Sequence, residues 1–340
     1  MNRTRSFPLS GPLVQAAALW TLVAAGACAS AGDAPAVAGQ EADPVAPSPR
    51  VEAREDGGTI HVTLDGAPFA SLVVGGDPKP YVYPLHGPGG VPLTRSYPLR
   101  EGVPNEATDH PHHVSFWFAH GDVDGFDFWH GSGRGERQVL SSHVVEEDAS
   151  GVTITASYLW ETEDGPLLVE RRALTFGGTD ERRTIDVDLT LWPAGPRTTT
   201  LGDTKEGTFA LRLHPALRLK GPVATATIRN AAGQVDGACW GQQAAWVDYS
   251  GTVDGREVGV AILDHPENLR HPTWWHARDY GLFAANPFGA HDFSGAPRGS
   301  GAHTLEPGDS LRLRYRVLLH AGPGEPEALA AEWDRFAGDA

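Results

Sequence analysis

The stretch GVTITASYLWETEDGPLLVERRALTF (residues 151–176) decides the fold class. Its two halves alternate apolar and polar residues and are rich in the β-branched and aromatic residues that strands prefer. The segment ETEDGPLL (161–168) between them contains an Asp-Gly pair, which is typical of a hairpin turn. The stretch therefore predicts two antiparallel strands joined by a tight turn.

Runs of the same kind recur along the chain and are bounded by Gly, Pro, Asp or Asn. No helical segments alternate with them, as βαβ units would require. They include TIHVTLDG (59–66), RTIDVDLTLWP (183–193), VATATIRN (223–230), EVGVAILDH (257–265) and LRLRYRVLLH (311–320). Only EPEALAAEWDRFAG (325–338) has helical spacing, with Leu329, Trp333 and Phe336 on one stripe after Pro326. We therefore predict an all-β protein: one large antiparallel β-sandwich over residues 51–340 with a short C-terminal helix.

The first 27 residues have the layout of a secretory signal peptide. Arg3 and Arg5 precede the apolar run GPLVQAAALWTLVAAGACAS (11–30), and the next charge is Asp33. Small residues stand directly before Cys28, which resembles the cleavage site of a bacterial lipoprotein whose cysteine is lipidated. We predict a lipoprotein-type signal peptide over 1–27 with Cys28 as the lipidated residue, and plain secretion as the alternative. The protein is thus expected to be exported, to the cell envelope or as a secreted or periplasmic protein.

Residues 28–50 are rich in Ala, Pro, Gly and Asp and are predicted to be a disordered tether, because they hold too little apolar surface to offset chain entropy. The net charge of −16 at pH 7 argues against nucleic acid or an anionic membrane surface as a partner. The membrane contact that we expect is the lipid at Cys28. The second cysteine of the chain is Cys239, so lipidation of Cys28 leaves no intrachain disulfide.

The stretch DHPHHVSFWFAHGDVDGFDFWHG (109–131) is the first candidate site, since it contains five histidines and two tryptophans. A strand over 112–120 would place His113, Ser115 and Trp117 on the face opposite the core. Neighbouring imidazoles suit a transition metal and also proton transfer near neutral pH. No HxH, HExxH or CxxC arrangement of known specificity is completed, so metal binding stays open. The alternative is that the histidines only cap and hydrogen-bond a strand edge.

The stretch GDTKEGTFALRLHP (202–215) is the second candidate. Alternation places Glu206, Arg212 and His214 along one polar strip, where a carboxylate can serve as general base and a guanidinium can bind substrate oxygens. A solvated strand face with ordinary ion pairs is the alternative.

The stretch HPTWWHARDYGLFAANPFGAHDF (271–293) is the third candidate. Trp274, His276, Arg278 and Tyr280 alternate on one face, and ANPFG (285–289) is typical of a tight turn. Aromatic faces beside polar donors suit sugar recognition. The alternative is that the large aromatic residues fill the core. YPLHGPGG (83–90) adds His86 on a glycine-rich loop.

Three of these motifs, DHPHHVSFWFAHGDVDGFDFWHG, DTKEGTFALRL (203–213) and HPTWWHARDYGLFAANPFG (271–289), resemble in this order the signatures of DUF6807. This bacterial family of unknown function is often labelled PmoA-like or methane oxygenase PmoA, and the resemblance covers about residues 55–338. It implies a secreted or lipid-anchored β-sandwich akin to the galactose-mutarotase-like supersandwich, associated with carbohydrate use, with histidines and a carboxylate in a cleft. The oxygenase label does not suit a chain without a membrane-spanning apolar run after its signal peptide.

We therefore expect a carbohydrate-active protein of the cell surface, an enzyme that acts on a sugar or glycoside by acid/base chemistry. The candidate reactions are epimerisation or mutarotation, elimination and hydrolysis. His113 and Glu206 are predicted to be the proton-transfer pair, with His112 as a further catalytic candidate. A divalent metal is the cofactor considered, with His110, His112 and His113 as candidate ligands. The candidates for substrate binding are His86, His110, Trp117, Trp129, His130, Lys205, Arg212, Trp275, His276 and Asn286. The alternatives are a non-catalytic sugar-binding lipoprotein and, less favoured, a metal-dependent oxygenase.

Overall fold

The alternating segments form strands, as the sequence predicts. The computed structural model describes residues 50–149 and 151–338. The predicted signal peptide over 1–27, Cys28 and the predicted tether up to residue 49 lie outside these residues. The hairpin of the opening stretch pairs residues 151–162 with 165–178, from Val152 opposite Phe176 to Thr162 opposite Gly165. The tight turn therefore lies where the Asp-Gly pair predicts it.

Strands are the main secondary-structure element of the described chain. They are β1 (Val51–Asp56), β2 (Thr59–Leu64), β3 (Ala67–Val73), β4 (Tyr81–Leu85), β5 (Phe116–His120), β6 (Arg137–Asp148), β7 (Gly151–Thr162), β8 (Gly165–Gly178), β9 (Arg182–Pro193), β10 (Thr199–Leu201), β11 (Gly207–Arg212), β12 (Thr227–Asn230), β13 (Trp246–Val253), β14 (Arg256–Asp264), β15 (Trp274–Ala277), β16 (Leu282–Asn286), β17 (His303–Leu305) and β18 (Leu311–Ala321). The α-helices are α1 (Ala290–Ser294) and α2 (Pro326–Gly338). Within the described ranges, neither helix is long and apolar enough to cross a membrane.

The strands form two large antiparallel sheets. Sheet I has the order β1-β2-β3-β4-β5-β11-β16-β15, and sheet II has the order β12-β13-β14-β18-β9-β8-β7-β6. Strands β10 and β17 form a separate pair. The inner faces of the sheets pack against each other through aromatic side chains: Phe209 of sheet I stacks on Tyr315 of sheet II at 4.6 Å between ring centroids, and Phe118 contacts Trp160 at 5.8 Å. The predicted all-β fold of two packed antiparallel sheets is confirmed.

The C-terminal helix is also confirmed. Leu329 and Phe336 of α2 are buried against Trp246, Leu263 and Leu318 on the outer face of sheet II. The Trp333 indole N–H donates to the Asp264 carbonyl at 2.8 Å. The helical stripe seen in the sequence is therefore the face that packs on the sheet.

A buried polar network joins the two sheets between their inner faces. Glu170 of β8 is fully buried and accepts hydrogen bonds from the indole of Trp160 at 2.7 Å and from Arg172 Nε at 2.5 Å. Arg172 also donates to Gln138, whose amide donates to the carbonyl of Phe118 in β5 at 2.9 Å. This network fixes β5 relative to sheet II.

We expect Arg172→Met to lower the free energy of unfolding by about 3–5 kcal/mol, because it leaves the buried Glu170 carboxylate without its cation. The double variant Glu170→Gln, Arg172→Met removes the charge as well and should recover much of the loss. Urea unfolding of both variants and the wild type measures this. Equal stability of the single and double variants would show that Arg172 does not stabilise the buried carboxylate of Glu170.

Candidate functional site

The outer face of sheet I carries small residues between large ones, which makes room for other groups above it. Strand pairing places Trp117 of β5 opposite Ala210, Ala210 opposite Ala284, and Ala284 opposite His276 of β15. Because alanine side chains are short, the loops that follow β4 and β5 can pack directly on this face. A small apolar cluster, separate from the main core, is formed by Trp117, Ala210 and Ala284 together with Trp129.

One buried guanidinium holds the loop that precedes β5. The side chain of Arg95 is 2% exposed and donates to the carbonyls of Ala107 (3.1 Å), Asp109 (2.9 Å), His110 (2.9 Å) and His113 (3.3 Å). It also donates to the Asp109 carboxylate at 2.9 Å. The backbone from 107 to 113 therefore wraps around a single cation.

The same loop contains two residues in the left-handed region, His110 with φ +46° and Ser115 with φ +58°. Residues other than glycine adopt this backbone conformation at a cost in free energy. Such strain is concentrated at functional sites. The predicted strand over 112–120 is thus shorter than expected and begins at Phe116, since Ser115 does not continue it. Within β5, Trp117 faces away from the core as predicted.

Four of the predicted histidines form one continuous series, here called the histidine cluster: His110, His112, His113 and His130. The rings of His110 and His113 stack at 4.9 Å, His113 meets His112 edge-on at 4.4 Å, and His112 lies 4.3 Å from His130. The HPHH motif and the far end of its stretch, Trp129-His130, are therefore brought together.

His113 is held as a neutral hydrogen-bond donor. Arg212 donates through Nη1 to His113 Nδ1 at 3.1 Å and through Nη2 to Asp109 at 2.8 Å. A guanidinium can only donate, so His113 Nδ1 must accept and the ring proton lies on Nε2. Burial, with the nearby His112 and Arg212, holds the pKa of His113 far below its usual range. His113 therefore offers an N–H at every pH near neutrality.

His112 is also neutral. Burial lowers its pKa to about 3, and the neighbouring His130 and Lys79 add to the effect. Its Nε2 is buried and has no hydrogen-bond partner among the described residues.

His130 differs from His112 and His113, because a carboxylate supports its protonated form. Its Nδ1 lies 2.8 Å from Asp127 Oδ2, and this hydrogen bond raises the pKa of His130. Asp127 is itself fixed by the backbone N–H groups of Trp129 and His130. The other ring nitrogen, Nε2, faces Glu206 Oε2 at 4.0 Å, and Glu206 Oε1 lies 3.2 Å from Lys205 Nζ. In contrast to His112 and His113, His130 can thus change protonation near neutral pH.

The predicted pair of His113 and Glu206 is not in contact. Across the described ranges no hydrogen bond joins the two, since Arg212 occupies His113 Nδ1 and Glu206 lies beside His130 and Lys205. Strand β11 begins at Gly207, so Glu206 lies in the preceding turn rather than on the strip that carries Arg212. The histidine of the cluster that lies beside Glu206 is therefore His130 rather than His113.

The predicted stacking tryptophans do not present their faces to a ligand. Trp117 and Trp129 are 1% and 0% exposed and pack under His113, with Trp117 stacked on its ring at 5.2 Å. Trp275 is 0% exposed and its indole donates to the Ala244 carbonyl at 2.9 Å, so it belongs to the core. The first two support the histidine cluster from below.

His276 and Asn286 brace the turn that presents Lys205 and Glu206. His276 Nδ1 donates to the Lys205 carbonyl at 3.1 Å, and burial lowers its pKa to about 3. The Asn286 amide donates to the Thr204 carbonyl at 2.9 Å and accepts from the Phe288 N–H at 2.8 Å. Both were predicted to bind substrate, yet their polar atoms are engaged with backbone.

His86 lies apart from the cluster. Its carbonyl accepts from Arg183 of sheet II at 3.2 Å, and burial lowers its pKa. No ring contact connects it with the four clustered histidines in the part of the chain that the structure describes. The glycine-rich loop therefore does not bring His86 to the site.

Residues 50–149 and 151–338 contain no group of three or more His, Cys, Asp or Glu side chains arranged to hold a metal ion. Metal ligands must converge their donor atoms on one point at about 2 Å. His110 and His113 instead stack face to face, and Nδ1 of His113 is occupied by Arg212. The metal candidates His110, His112 and His113 thus do not fit a metal in this arrangement.

Several residues of the site are not among the candidates chosen from the sequence, including Arg95, Lys79, Asp127 and Tyr280. Arg95 and Lys79 carry no local signal, since each acts on residues far along the chain. Lys79 Nζ donates to the Trp129 carbonyl at 2.7 Å, and burial lowers its pKa to about 7. Tyr280 stacks on His110 at 5.4 Å and on Arg212 at 4.6 Å. Its alternation with His276 and Arg278 was a signal that could have identified it.

The fold and the cluster define a β-sandwich protein with a histidine site on the outer face of one sheet. Residues 59–334 match the model of a family of unknown function, DUF6807, and the chain belongs to this family. No curated protein matches the chain.

Solved structures show distant similarity to the chain. A GH36 alpha-galactosidase from Geobacillus stearothermophilus is 11% identical over 80% of this chain and 41% of that chain, with a TM-score of 0.37. A galactose mutarotase related enzyme from Lactobacillus acidophilus is 11% identical over 81% of this chain and 99% of its own, with a TM-score of 0.31. A polysaccharide lyase is 14% identical over 85% and 35%, with a TM-score of 0.34. The chain spans less than half of the galactosidase and of the lyase, and similarities at this level assign no activity to it.

The protonation state of His130 gives a direct test of the site. We expect its NMR titration to lie above the ordinary histidine pKa of 6.5, while His112 stays neutral down to about pH 3. Because the folded pKa is raised, the stabilising contribution of His130 is complete below the unfolded pKa and is lost as pH rises through the folded value. Asp127→Asn should lower the pKa of His130, whereas the exposed Asp164→Asn should leave it unchanged. Equal titration of His130 in both variants would contradict the role of Asp127.

Proposed function

We propose that the protein is a carbohydrate-active enzyme that transfers protons to and from a sugar at the histidine cluster. The observation that carries this proposal is the geometry of His130, which is supported by Asp127 on one nitrogen and faces Glu206 with the other. An imidazole that titrates near neutrality and a carboxylate beside it are the groups that acid/base catalysis requires.

The separation of the two groups leaves both available. At 4.0 Å, His130 Nε2 and Glu206 Oε2 are farther apart than a hydrogen bond allows. A substrate atom between them can exchange a proton with the imidazole on one side and the carboxylate on the other. This pair takes the role that the sequence predicts for His113 and Glu206.

The remaining histidines are suited to hold and polarise the substrate. His113 carries a fixed N–H, and the unpartnered Nε2 of His112 lies between it and His130. Neutral imidazoles can donate to or accept from hydroxyl oxygens without changing charge. The partly exposed ring of Tyr280 stacks on His110 and offers the aromatic surface that sugar C–H edges prefer.

Proton transfer of this kind is common to ring opening, epimerisation and elimination next to a carbonyl, and it also serves glycoside cleavage. A sugar is the favoured substrate because the site combines an aromatic face with several neutral hydrogen-bonding groups. The same surface without turnover would be a sugar-binding site, which is the alternative that the experiment distinguishes.

We expect His130→Asn and Glu206→Gln each to lower turnover by about 10²–10⁴-fold while sugar binding is retained, because each removes one proton-transfer group. Turnover is followed by proton NMR in D₂O on aldoses and their glycosides, which detects anomeric interconversion, exchange at carbon and bond cleavage together. His143→Asn and Glu146→Gln on β6 are the matched controls and should behave as wild type.

Two results would contradict the proposal. Wild-type protein that binds these sugars without turning them over would be a binding protein. Variants of His130 and Glu206 with full turnover would show that the proton-transfer groups lie elsewhere.

We also propose that the chain is exported and lipidated at Cys28. The support is the order of basic residues, apolar run and small residues before this cysteine. In a bacterial host given radiolabelled palmitate, the full chain should take up label, and Cys28→Ala should abolish it. Cys239→Ala, which removes the other cysteine, should keep it. Label that persists in Cys28→Ala would contradict lipidation at this residue.

A further inference from the structure

A cavity lies outside the histidine cluster, at the residues that directly precede Tyr280 in the chain. It has a volume of about 370 Å³ and is lined by Lys220, Trp240, Arg278 and Asp279, among others. This volume is within the range of about 300–1,000 Å³ that small-molecule sites occupy. We call it the Trp240 pocket.

The Trp240 pocket continues the surface of the histidine cluster. The Arg278 guanidinium lies 5.8 Å from the Trp240 ring and 5.3 Å from the Tyr280 ring. Tyr280 in turn stacks on His110. A ligand longer than one sugar ring can therefore lie on both sites at once.

No described carboxylate forms a salt bridge with Arg278, although the charge of the neighbouring Asp279 also acts on it. Within residues 50–149 and 151–338 its guanidinium forms no salt bridge and no hydrogen bond, and its close contacts are the two aromatic faces. The one carboxylate that lines the pocket belongs to Asp279, and Lys220 holds it at 2.6 Å. Together these three side chains leave one net positive charge, on Arg278.

Trp240 supplies a partly exposed ring face. Its side chain is partly exposed and packs edge-on against Phe293 at 5.7 Å. Its indole N–H is buried without a hydrogen-bond partner among the described residues. An aromatic face beside an unpaired guanidinium fits a sugar ring that carries a carboxylate, since the planar guanidinium binds carboxylates through two parallel hydrogen bonds.

We infer that the Trp240 pocket binds the carboxylate of an acidic sugar, so that the substrate of the protein is a uronic acid or a saccharide that contains one. This inference rests on the proposed function and narrows its substrate class. Arg278 then recognises the carboxylate, Trp240 stacks on the ring, and the histidine cluster meets the adjoining part of the substrate.

The experiment compares matched acidic and neutral sugars on the full chain. Binding of D-glucuronate and D-galacturonate, and of D-glucose and D-galactose, is measured by calorimetry. We expect the wild type to bind each uronate at least about tenfold more tightly than its neutral counterpart, because charge-assisted hydrogen bonds are the strong ones. Arg278→Gln should abolish this preference and leave the affinity for the neutral sugars unchanged.

The controls separate a specific contact from general charge. Arg197 is exposed and its guanidinium forms no salt bridge in the described ranges, so Arg197→Gln should keep the preference for uronates. Trp240→Ala removes the ring face and should weaken uronate binding by about threefold or more. Circular dichroism confirms that each variant is folded.

The outcomes distinguish this inference from the proposed function. Equal affinity for uronates and neutral sugars in the wild type, or equal effects of Arg278→Gln and Arg197→Gln, overturns the inference while binding and turnover of neutral sugars leave the proposed function intact. Absence of binding to all four sugars overturns both.

Discussion

The guanidinium of Arg95 is the group on which the site depends. A buried cation is tolerated only when hydrogen bonds replace its hydration, and Arg95 obtains them from four carbonyls and the Asp109 carboxylate. The backbone of 107–113 must therefore close around it, which fixes the spacing of the HPHH histidines and the left-handed turn at His110. Asp109 also accepts from Arg212 of β11, so the loop and the sheet share one carboxylate.

Burial and nearby positive charge give the histidines of the cluster different protonation properties. Arg212 occupies one nitrogen of His113, and Lys79 lies under the indoles, so burial and nearby cations keep His112 and His113 neutral. His130 is at the surface and beside Asp127, and its pKa is raised instead. The cluster thus contains the neutral His112 and His113 and, beside His112, the proposed proton carrier His130.

Alternation in the sequence predicted the sandwich, the opening hairpin, the outward face of Trp117 and the C-terminal helix, because these depend on local periodicity. The proton-transfer pair could not be predicted in the same way. Which imidazole faces Glu206 depends on the turn at Asp127 and on where β11 begins. This strand begins at Gly207, directly after Glu206. Residue type also does not distinguish a ligand platform from support, so Trp117, Trp129 and Trp275 were assigned to binding although they are buried. Arg95 and Lys79 act across long stretches of sequence and leave no local pattern.

The two faces of strand β5 have different roles, since one packs in the core and the other supports the histidine cluster. Phe116 and Phe118 face the core, where the Glu170–Arg172 network holds the Phe118 carbonyl through Gln138. Trp117 faces the other way and supports the histidine cluster. The groups that we propose to exchange protons or recognise charge, Glu206, His130 and Arg278, lie outside the strands, in turns whose residues are at least partly exposed. Changes in these turns can therefore alter the substrate or end turnover without loss of the sandwich, whereas the supports in β5 and β11 belong to the fold itself.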